Sequence, residues 1–156
     1  MNLSFSAVMR DPVFAPRMES CRNVTIPSSV EKCRETGRVD CFRLDWKPGM
    51  PNQPHRFFDS DFAKVLEGMA YMVELHPEDK ALAEELDRFV DLVISAQQPD
   101  GYLNTYYTCV EPEKRWKHLF ESHELYCAGH LMEAAVAHFH ATGNRKFVNA
   151  LARYAD

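Results

Sequence analysis

Four apolar stripes with helical spacing, paired by two short turns, constrain the fold of this chain more than any other feature of its sequence. The stripes run from Phe62 to Val73, from Leu82 to Val93, from Leu125 to Phe139 and from Phe147 to Tyr154. In each of them apolar residues recur mainly at steps of three and four, which places them on one face of an α-helix. We therefore predict an all-α protein.

The connections within each pair of stripes favour antiparallel helical hairpins. The first pair is joined through residues 76–78, where Pro77 predicts the first residue of the second helix. The second pair is joined through residues 142–144, where Gly143 predicts the end of the third helix and Asn144 a cap for the fourth. Helices linked by so few residues pack side by side in opposite directions.

Polar residues mark where the first and third helices should begin. Asp59 or Ser60 is the predicted N-cap of the first helix, and Ser122 is the predicted N-cap of the third. The second helix is predicted to end near Gln98, because the residue before Pro99 is disfavoured in a helix. These boundaries leave a long connection between the two hairpins.

The first part of the chain differs from the rest. We predict that residues 1–58 form a leader and that residues 59–156 form the helical body. Residues 1–14 show a weak alternating pattern, typical of a short extended segment. Pro16 predicts the start of a short helix that Pro27 should interrupt, because proline donates no backbone hydrogen bond.

A long aromatic loop between the hairpins is the first candidate for a functional surface. Residues 99–121 carry Tyr102, Tyr106, Tyr107 and Trp116. Long loops in compact domains are usually functional. Because the second helix leads into this loop and the third helix returns from it, we expect the loop and the start of the third helix to share one rim. The aromatic rings either stack on a sugar or anchor the loop to the core.

Four residues near this rim are candidates for binding a substrate: Asp100, Tyr102, His123 and Glu124. His123 stands near the predicted start of the third helix, beside the polar loop, and Glu124 is available as a hydrogen-bond acceptor. The competing explanation for His123 is a surface or capping histidine. Asp100 lies in a Pro-Asp-Gly sequence and can serve the turn alone. No pair of carboxylates is marked by the sequence as acid and base.

Composition and charge disfavour several classes of partner. The net charge is −5 and no run of lysine and arginine forms a basic surface, which argues against nucleic acid. No apolar run approaches about 18 residues, so no membrane span is predicted. The lack of a signal-peptide pattern favours a cytoplasmic protein. The five cysteines include no Cys-x-x-Cys, which indicates free thiols.

Several segments together resemble the β-L-arabinofuranosidases of glycoside hydrolase family 127. The three longest are Phe58–Lys64, Ala96–Thr105 and Ser122–Gly143, and the shorter Thr25–Pro27 and Thr36–Asp40 fit the leader of that family. The resemblance implies an (α/α)6 barrel followed by β-sandwich domains, of which this chain would form an incomplete barrel of antiparallel hairpins. It also implies release of terminal β-L-arabinofuranose with retention of configuration.

The resemblance further implies where the chemistry of the family lies. Its nucleophile is a cysteine bound to zinc, held with other cysteines and a glutamate, and a separate glutamate is the acid/base. These residues belong to a cysteine-rich stretch far downstream that includes adjacent cysteines, and none of the five cysteines of this chain matches it. Among the four candidates, His123 matches a family histidine that contacts the sugar.

The sequence therefore predicts the N-terminal fragment of a retaining glycosidase, inactive on its own, whose ligand is an L-arabinofuranoside or a related sugar. We expect no catalytic residue, metal site or cofactor in this chain, although the full-length family uses zinc. Uncovered apolar helix faces would favour self-association. Two alternatives stay open: a helical carbohydrate-binding or interaction module without catalysis, and another six-hairpin sugar hydrolase, such as an unsaturated glucuronyl hydrolase.

Overall fold

The computed structural model describes residues 12–156, and every regular element in that range is helical. The elements are α1 (Phe14–Ser20), a π-helical turn (Cys21–Thr25), α2 (Ile26–Glu35), a 3-10 turn (Asp40–Arg43), α3 (Phe58–Leu75), α4 (Lys80–Ser95), α5 (Tyr106–Cys109), a 3-10 turn (Pro112–Lys114), α6 (Leu119–Ser122), α7 (Glu124–Thr142) and α8 (Lys146–Ala155). The predicted all-α fold is confirmed. None of these helices is long and apolar enough to cross a membrane. The extended pattern predicted over residues 1–14 falls almost entirely outside the described residues.

The leader holds one long helical segment where the sequence predicted an interruption. α1 passes through the π-helical turn into α2, and the Ile26 N–H bonds the Cys21 carbonyl oxygen five residues back. Pro27 follows directly, in the first turn of α2. The prediction that Pro27 ends the helix is wrong. Proline is tolerated in the first turn of a helix, and the preceding π-helical turn rearranges the hydrogen bonds around it.

α3 and α4 form one helical hairpin and α7 and α8 form a second, as the short turns predicted. Within the first hairpin, the ring of Phe62 near the start of α3 packs edge-on against Phe89 in the second half of α4, with centroids 5.1 Å apart. The two hairpins then stack with α3 and α7 side by side. Completion of an (α/α)6 barrel by further hairpins stays a prediction.

α3 and α7 run in the same direction, so their starts meet at one end of the molecule. The Cys127 thiol, in the first turn of α7, donates to the carbonyl oxygen of Arg56 just before α3, at 3.1 Å. Further along α3, Lys64 Nζ donates to Tyr126 Oη of α7 at 2.9 Å. The loop between the hairpins leads into α7 and therefore lies at this same end.

Some helix starts differ from the prediction because side chains use their hydrogen-bonding groups elsewhere. α3 begins at Phe58, and the predicted cap Asp59 lies inside its first turn with its carboxylate bonded to another segment. α4 begins after Asp79 and not at Pro77. The reason is that the Asp79 carboxylate caps this helix by accepting the Leu82 N–H at 3.2 Å.

The limits of α7 show one wrong prediction and one confirmed one. The helix begins after His123 rather than after Ser122, because Ser122 already closes α6, with its N–H bonded to the His118 carbonyl oxygen at 2.8 Å. Its predicted end at Gly143 is confirmed. That glycine has a φ of 72° and donates its N–H to the Phe139 carbonyl oxygen, as expected of a left-handed C-terminal glycine.

The core lies between α3 and α7, where alanines let the two helices approach each other closely. Ala63 and Ala70 of α3 and Ala134 and Ala135 of α7 are all buried. The fully buried Phe62 fills the space toward α4. Burying a phenylalanine ring of this kind contributes roughly 1.5–3 kcal/mol to the stability of the fold. This packing fixes the relative position of the two helix starts.

Candidate functional site

One end of the stacked hairpins gathers most of the buried polar side chains of residues 12–156; the exception is His138, toward the other end of α7. It is formed by the starts of α3 and α7 and by the connection over residues 96–123, here called the rim connection, which includes α5 and α6. Asp59 of α3 bonds this connection through Thr105, and Glu124 of α7 bonds it through Tyr102. The predicted rim, shared by the loop and the start of the third helix, is therefore confirmed.

Asp59 ties the start of α3 to the rim connection from inside the protein. Its carboxylate accepts the Thr105 N–H at 2.9 Å on Oδ2 and the Thr105 hydroxyl at 2.5 Å on Oδ1. Burial raises the pKa of Asp59 to about 6, although the two bonds from Thr105 act in the opposite direction. A carboxyl group of this kind stabilises a local structure and is out of reach of a substrate.

Glu124 makes the corresponding link from the start of α7. The side chain is fully buried; Oε1 accepts the Tyr102 hydroxyl at 2.5 Å, and Oε2 accepts the Trp116 backbone N–H at 2.9 Å. Burial, and next the bond to the neighbouring carboxylate, raise the pKa of the Tyr102 phenol far above its usual value. The structure thus places Glu124 behind the surface of the rim, although the sequence made it a candidate for contacting a sugar.

His123 is held differently, with its ring on the outside of the helix start. Its backbone is left-handed, with a φ of 57°. The imidazole packs edge-on against Phe57 at 4.5 Å between ring centroids and lies 6.0 Å from the ring of Tyr126. Nδ1 lies 2.8 Å from the Glu121 carbonyl oxygen. Because a carbonyl oxygen only accepts, the neutral imidazole carries its proton on Nδ1 and presents Nε2 as an acceptor.

A cleft of about 660 Å³ opens beside the rim connection and runs along α7 toward α8. Asp100 and Tyr102 both line it, together with Arg115 and Trp116. Arg115 donates to Asp100 Oδ2 at 2.7 Å, and this bond holds the pKa of the Asp100 carboxyl below its usual value. The structure therefore brings Asp100 and Tyr102 together on one surface, whereas His123 packs against Phe57 and Tyr126.

The aromatic residues of the rim connection serve mainly as anchors. Tyr102 and Tyr107 are each only 2% exposed. The Tyr102 ring packs edge-on against Trp116 at 5.3 Å and against Tyr154 of α8 at 5.6 Å between centroids. Trp116 and Phe120, in contrast, are exposed. Of the two roles that the sequence left open, anchoring the loop is the one observed for Tyr102 and Tyr107.

The side chains present do not fit the zinc site that the family resemblance implies. The buried thiols of Cys41 and Cys127 donate to the carbonyl oxygens of Arg38 and Arg56, at 3.3 Å and 3.1 Å. Burial raises the pKa of the Cys127 thiol to about 12, which disfavours the thiolate that binds metals. Within residues 12–156 no three histidine, cysteine, aspartate or glutamate side chains come together as metal ligands.

Three residues of the site escaped the sequence analysis. Arg115 lies 3.6 Å above the Tyr102 ring and bonds Asp100, but nothing in the sequence around it indicates such contacts. Tyr154 lines the cleft, although its place in the apolar stripe of α8 indicated only a core residue. Phe57 lies five residues before the first apolar stripe, and nothing in the sequence indicates its contact with His123.

Comparison with known proteins shows which family this chain resembles. Residues 7–156 match the family described as β-L-arabinofuranosidase, GH127 catalytic domain. A non-reducing end β-L-arabinofuranosidase from Bifidobacterium longum subsp. longum is 42% identical over 104 residues, which are 64% of this chain and 16% of that protein.

Two solved structures share the fold at high similarity. A GH127 β-L-arabinofuranosidase from Geobacillus stearothermophilus T6 superposes with a TM-score of 0.87 and 40% identity, over 97% of this chain and 25% of that one. A second GH127 β-arabinofuranosidase superposes with a TM-score of 0.86 and 36% identity, over 96% of this chain and 25% of the other. The chain thus spans a sixth to a quarter of the length of these relatives. It belongs to the β-L-arabinofuranosidase family, glycoside hydrolase family 127, and corresponds to part of its catalytic domain.

Proposed function

We propose that this chain forms one wall of the sugar pocket in a β-L-arabinofuranosidase, with the rim around His123 as the part that meets the substrate. The relatives named above act on β-L-arabinofuranosides or β-arabinofuranosides, and the family match covers nearly the whole chain. This match does not favour the alternatives of a binding module without catalysis or an unsaturated glucuronyl hydrolase. Retention of configuration in the reaction belongs to the same proposal.

The geometry of His123 is the observation that carries this proposal. The imidazole is partly exposed at the start of α7, and no hydrogen bond within residues 12–156 engages its Nε2. The Glu121 carbonyl oxygen and the Phe57 ring fix the orientation of the imidazole. A neutral imidazole held in this way accepts a hydrogen bond from a hydroxyl group, and sugars offer several hydroxyl groups in fixed directions.

The other three candidates have distinct roles in this proposal. Asp100 and Tyr102 shape the cleft next to the pocket. The exposed Asp100 carboxylate accepts the Tyr102 N–H on Oδ1 and Arg115 on Oδ2, and its remaining lone pairs are available to a sugar hydroxyl. Glu124 supports the rim from behind. Burial raises the pKa of the Cys127 thiol to about 12, which disfavours the nucleophilic thiolate. The proposal assigns the catalytic step to residues outside those described.

Titration calorimetry with L-arabinose tests the proposal on the purified chain. We expect heat of binding from the unaltered protein, and its loss in His123→Ala. The matched control is His140→Ala, because His140 is an exposed histidine at the other end of α7. Binding that survives His123→Ala, or that His140→Ala removes equally, contradicts the proposed role of His123.

Hydrolysis of an aryl β-L-arabinofuranoside provides a second test. We expect no turnover by the purified 156-residue chain. Turnover would show that the chain holds a nucleophile and an acid/base of its own, and it would overturn the assignment of this chain to a binding wall.

A further inference from the structure

Glu124 occupies a position that binding to a sugar does not explain. Its side chain is 0% exposed, and each of its two carboxylate oxygens already accepts a hydrogen bond, one from the Tyr102 hydroxyl and one from the Trp116 N–H. Both donors belong to the rim connection. A carboxylate buried with donors on both oxygens is strongly held, because charge-assisted hydrogen bonds are about twice as strong as neutral ones.

Two strained residues delimit the segment that Glu124 fastens. Trp116 and His123 have left-handed backbones, with φ of 60° and 57°. Elsewhere in residues 12–156 the only other non-glycine residues with positive φ are Leu44 and Asn52. Such conformations persist where the surroundings enforce them. The N–H of Trp116 is one of the two groups that Glu124 holds, and His123 directly precedes Glu124.

Contacts of Arg115 on the cleft side also hold the rim connection in place. Arg115, next to Trp116, bonds the Asp100 carboxylate at 2.7 Å and lies 3.6 Å above the Tyr102 ring. Tyr102 is therefore held on its hydroxyl by Glu124 and on its ring face by Arg115. The two halves of the rim connection, around residues 100–102 and 115–116, are thus joined to each other and to α7.

We propose that Glu124 is a positioning residue whose buried carboxylate clamps the rim connection to the start of α7 and thereby fixes the orientation of the His123 imidazole. The clamp sets the path of residues 116–123, so that the Glu121 carbonyl oxygen faces His123 Nδ1 and the left-handed turn at His123 points the ring outward. That this orientation matters for binding a sugar rests on the proposed function, whereas the clamp itself is independent of that function.

Limited trypsin digestion of the folded 156-residue chain measures the clamp directly. Trypsin cleaves after Arg115 and Lys117, which lie on either side of Trp116. In Glu124→Ala we expect cleavage at these two sites to become on the order of tenfold faster or more, since both charge-assisted bonds that hold the segment are lost. Glu133→Ala is the matched control. Glu133 is an exposed α7 glutamate paired with His130, and its removal should leave the cleavage rates unchanged.

The ¹⁵N chemical shifts of the His123 ring provide a readout that a merely structural role would not move. In the unaltered protein, at a pH where the ring is neutral, we expect the pattern of an imidazole protonated on Nδ1. In Glu124→Ala we expect the averaged pattern of a mobile histidine. Unchanged shifts together with unchanged cleavage rates would overturn the proposal.

Two milder variants keep the test decisive if Glu124→Ala does not fold. Glu124→Gln replaces both charge-assisted bonds by neutral ones, because its amide oxygen accepts the Trp116 N–H while its NH₂ group donates to Tyr102 Oη, and Tyr102→Phe removes only the hydroxyl bond. We expect partial loss of the Nδ1 pattern in both. Retention of the full pattern in both variants contradicts the clamp. A confirmed clamp in a chain that does not bind L-arabinose would contradict the proposed function alone.

Discussion

The two ends of the stacked hairpins connect their helices by different kinds of segment. At the far end, formed by residues 76–79 and 143–145, the turns are short and their polar groups are partly accessible to solvent. Asp79 caps α4 and pairs with Arg22 at 2.8 Å, and Asn144 accepts the Lys146 N–H at 2.9 Å. At the rim end the connection is 28 residues long, from 96 to 123, and two carboxylates are buried within it or beneath it.

The two ends also differ in the strain that they hold. Exposed ion pairs and caps at the far end each contribute little and store no strain. The rim end instead holds Asp59 and Glu124 out of water and keeps Trp116 and His123 in left-handed conformations, each of which costs energy. Features of this kind are expected at functional sites, where local rules are broken and the surrounding structure compensates.

The largest predicted difference between the ends concerns two glycines. Gly101, at the rim, has a φ of 91°, and a Cβ there would lie 2.2 Å from the Arg153 carbonyl oxygen of α8. Gly143, at the far end, has a φ of 72° with no atom within 4 Å of an added Cβ. We expect Gly101→Ala to lower the free energy of unfolding by about 3 kcal/mol and Gly143→Ala by about 1 kcal/mol. Urea denaturation of both variants measures this, and equal losses would contradict the tight contact at the rim.

Asp59→Asn and Asp79→Asn should change the stability of the fold in opposite directions as the pH rises. Folding raises the pKa of Asp59 from 3.8 to about 6, so its contribution to stability is greatest below about pH 4 and is lost as the pH rises through 6. We expect the free energy of unfolding of Asp59→Asn, relative to that of the unaltered chain, to increase by roughly 2–3 kcal/mol between pH 4 and pH 7. An asparagine avoids the buried charge and can still bond Thr105. Denaturation at a series of pH values measures this change.

Asp79 provides the control for that measurement. The bonds from Arg22 and from the Leu82 N–H lower the pKa of this carboxyl. Its contribution to stability is therefore present above its unfolded pKa and is lost as the pH falls. Asp79→Asn should become relatively less stable as the pH rises toward 7. The same sign of change in both variants would show that burial of Asp59 does not disfavour its charged form.

The smallest predicted effect concerns the left-handed backbone of His123. Glycine adopts a φ of 57° without strain and alanine does not, so His123→Gly should be more stable than His123→Ala by about 1 kcal/mol. At His140, inside α7, the alanine variant should instead be more stable than the glycine variant, by up to about 1 kcal/mol, because glycine weakens a regular helix. Thermal unfolding of the four variants measures both differences, and the same order at both positions would contradict the strained turn.

Much of the fold could be predicted from sequence because it depends on local patterns. The apolar stripes predicted α3, α4, α7 and α8, and Gly143 predicted the end of α7 from the conformation that only glycine adopts easily. The failures occurred where an irregular turn or a distant group decided the outcome. Pro27 did not end a helix, because the π-helical turn before it rearranged the hydrogen bonds, and Asp59 did not cap α3, because Thr105 took its carboxylate.

The site was less predictable than the fold for the same reason. The sequence placed Tyr102, His123 and Glu124 near one rim, which follows from hairpin geometry alone. It could not show that Glu124 lies behind that rim, because this depends on contacts with Tyr102 and Trp116 across a connection with no regular pattern. The contacts of Arg115 were unpredictable on the same ground. Whether His123 binds a sugar stays a prediction.

Nuclear magnetic resonance titration of the ¹⁵N-labelled chain with L-arabinose tests the central claim most directly, because it reports on both ends of the molecule at once. We predict that the resonances of His123 and its neighbours Phe57 and Tyr126 shift with sugar concentration, while those of residues 76–79 and 143–145 do not. Shifts confined to the far end, or no shifts at the rim at saturating sugar, would contradict the assignment of the rim as the sugar-binding wall.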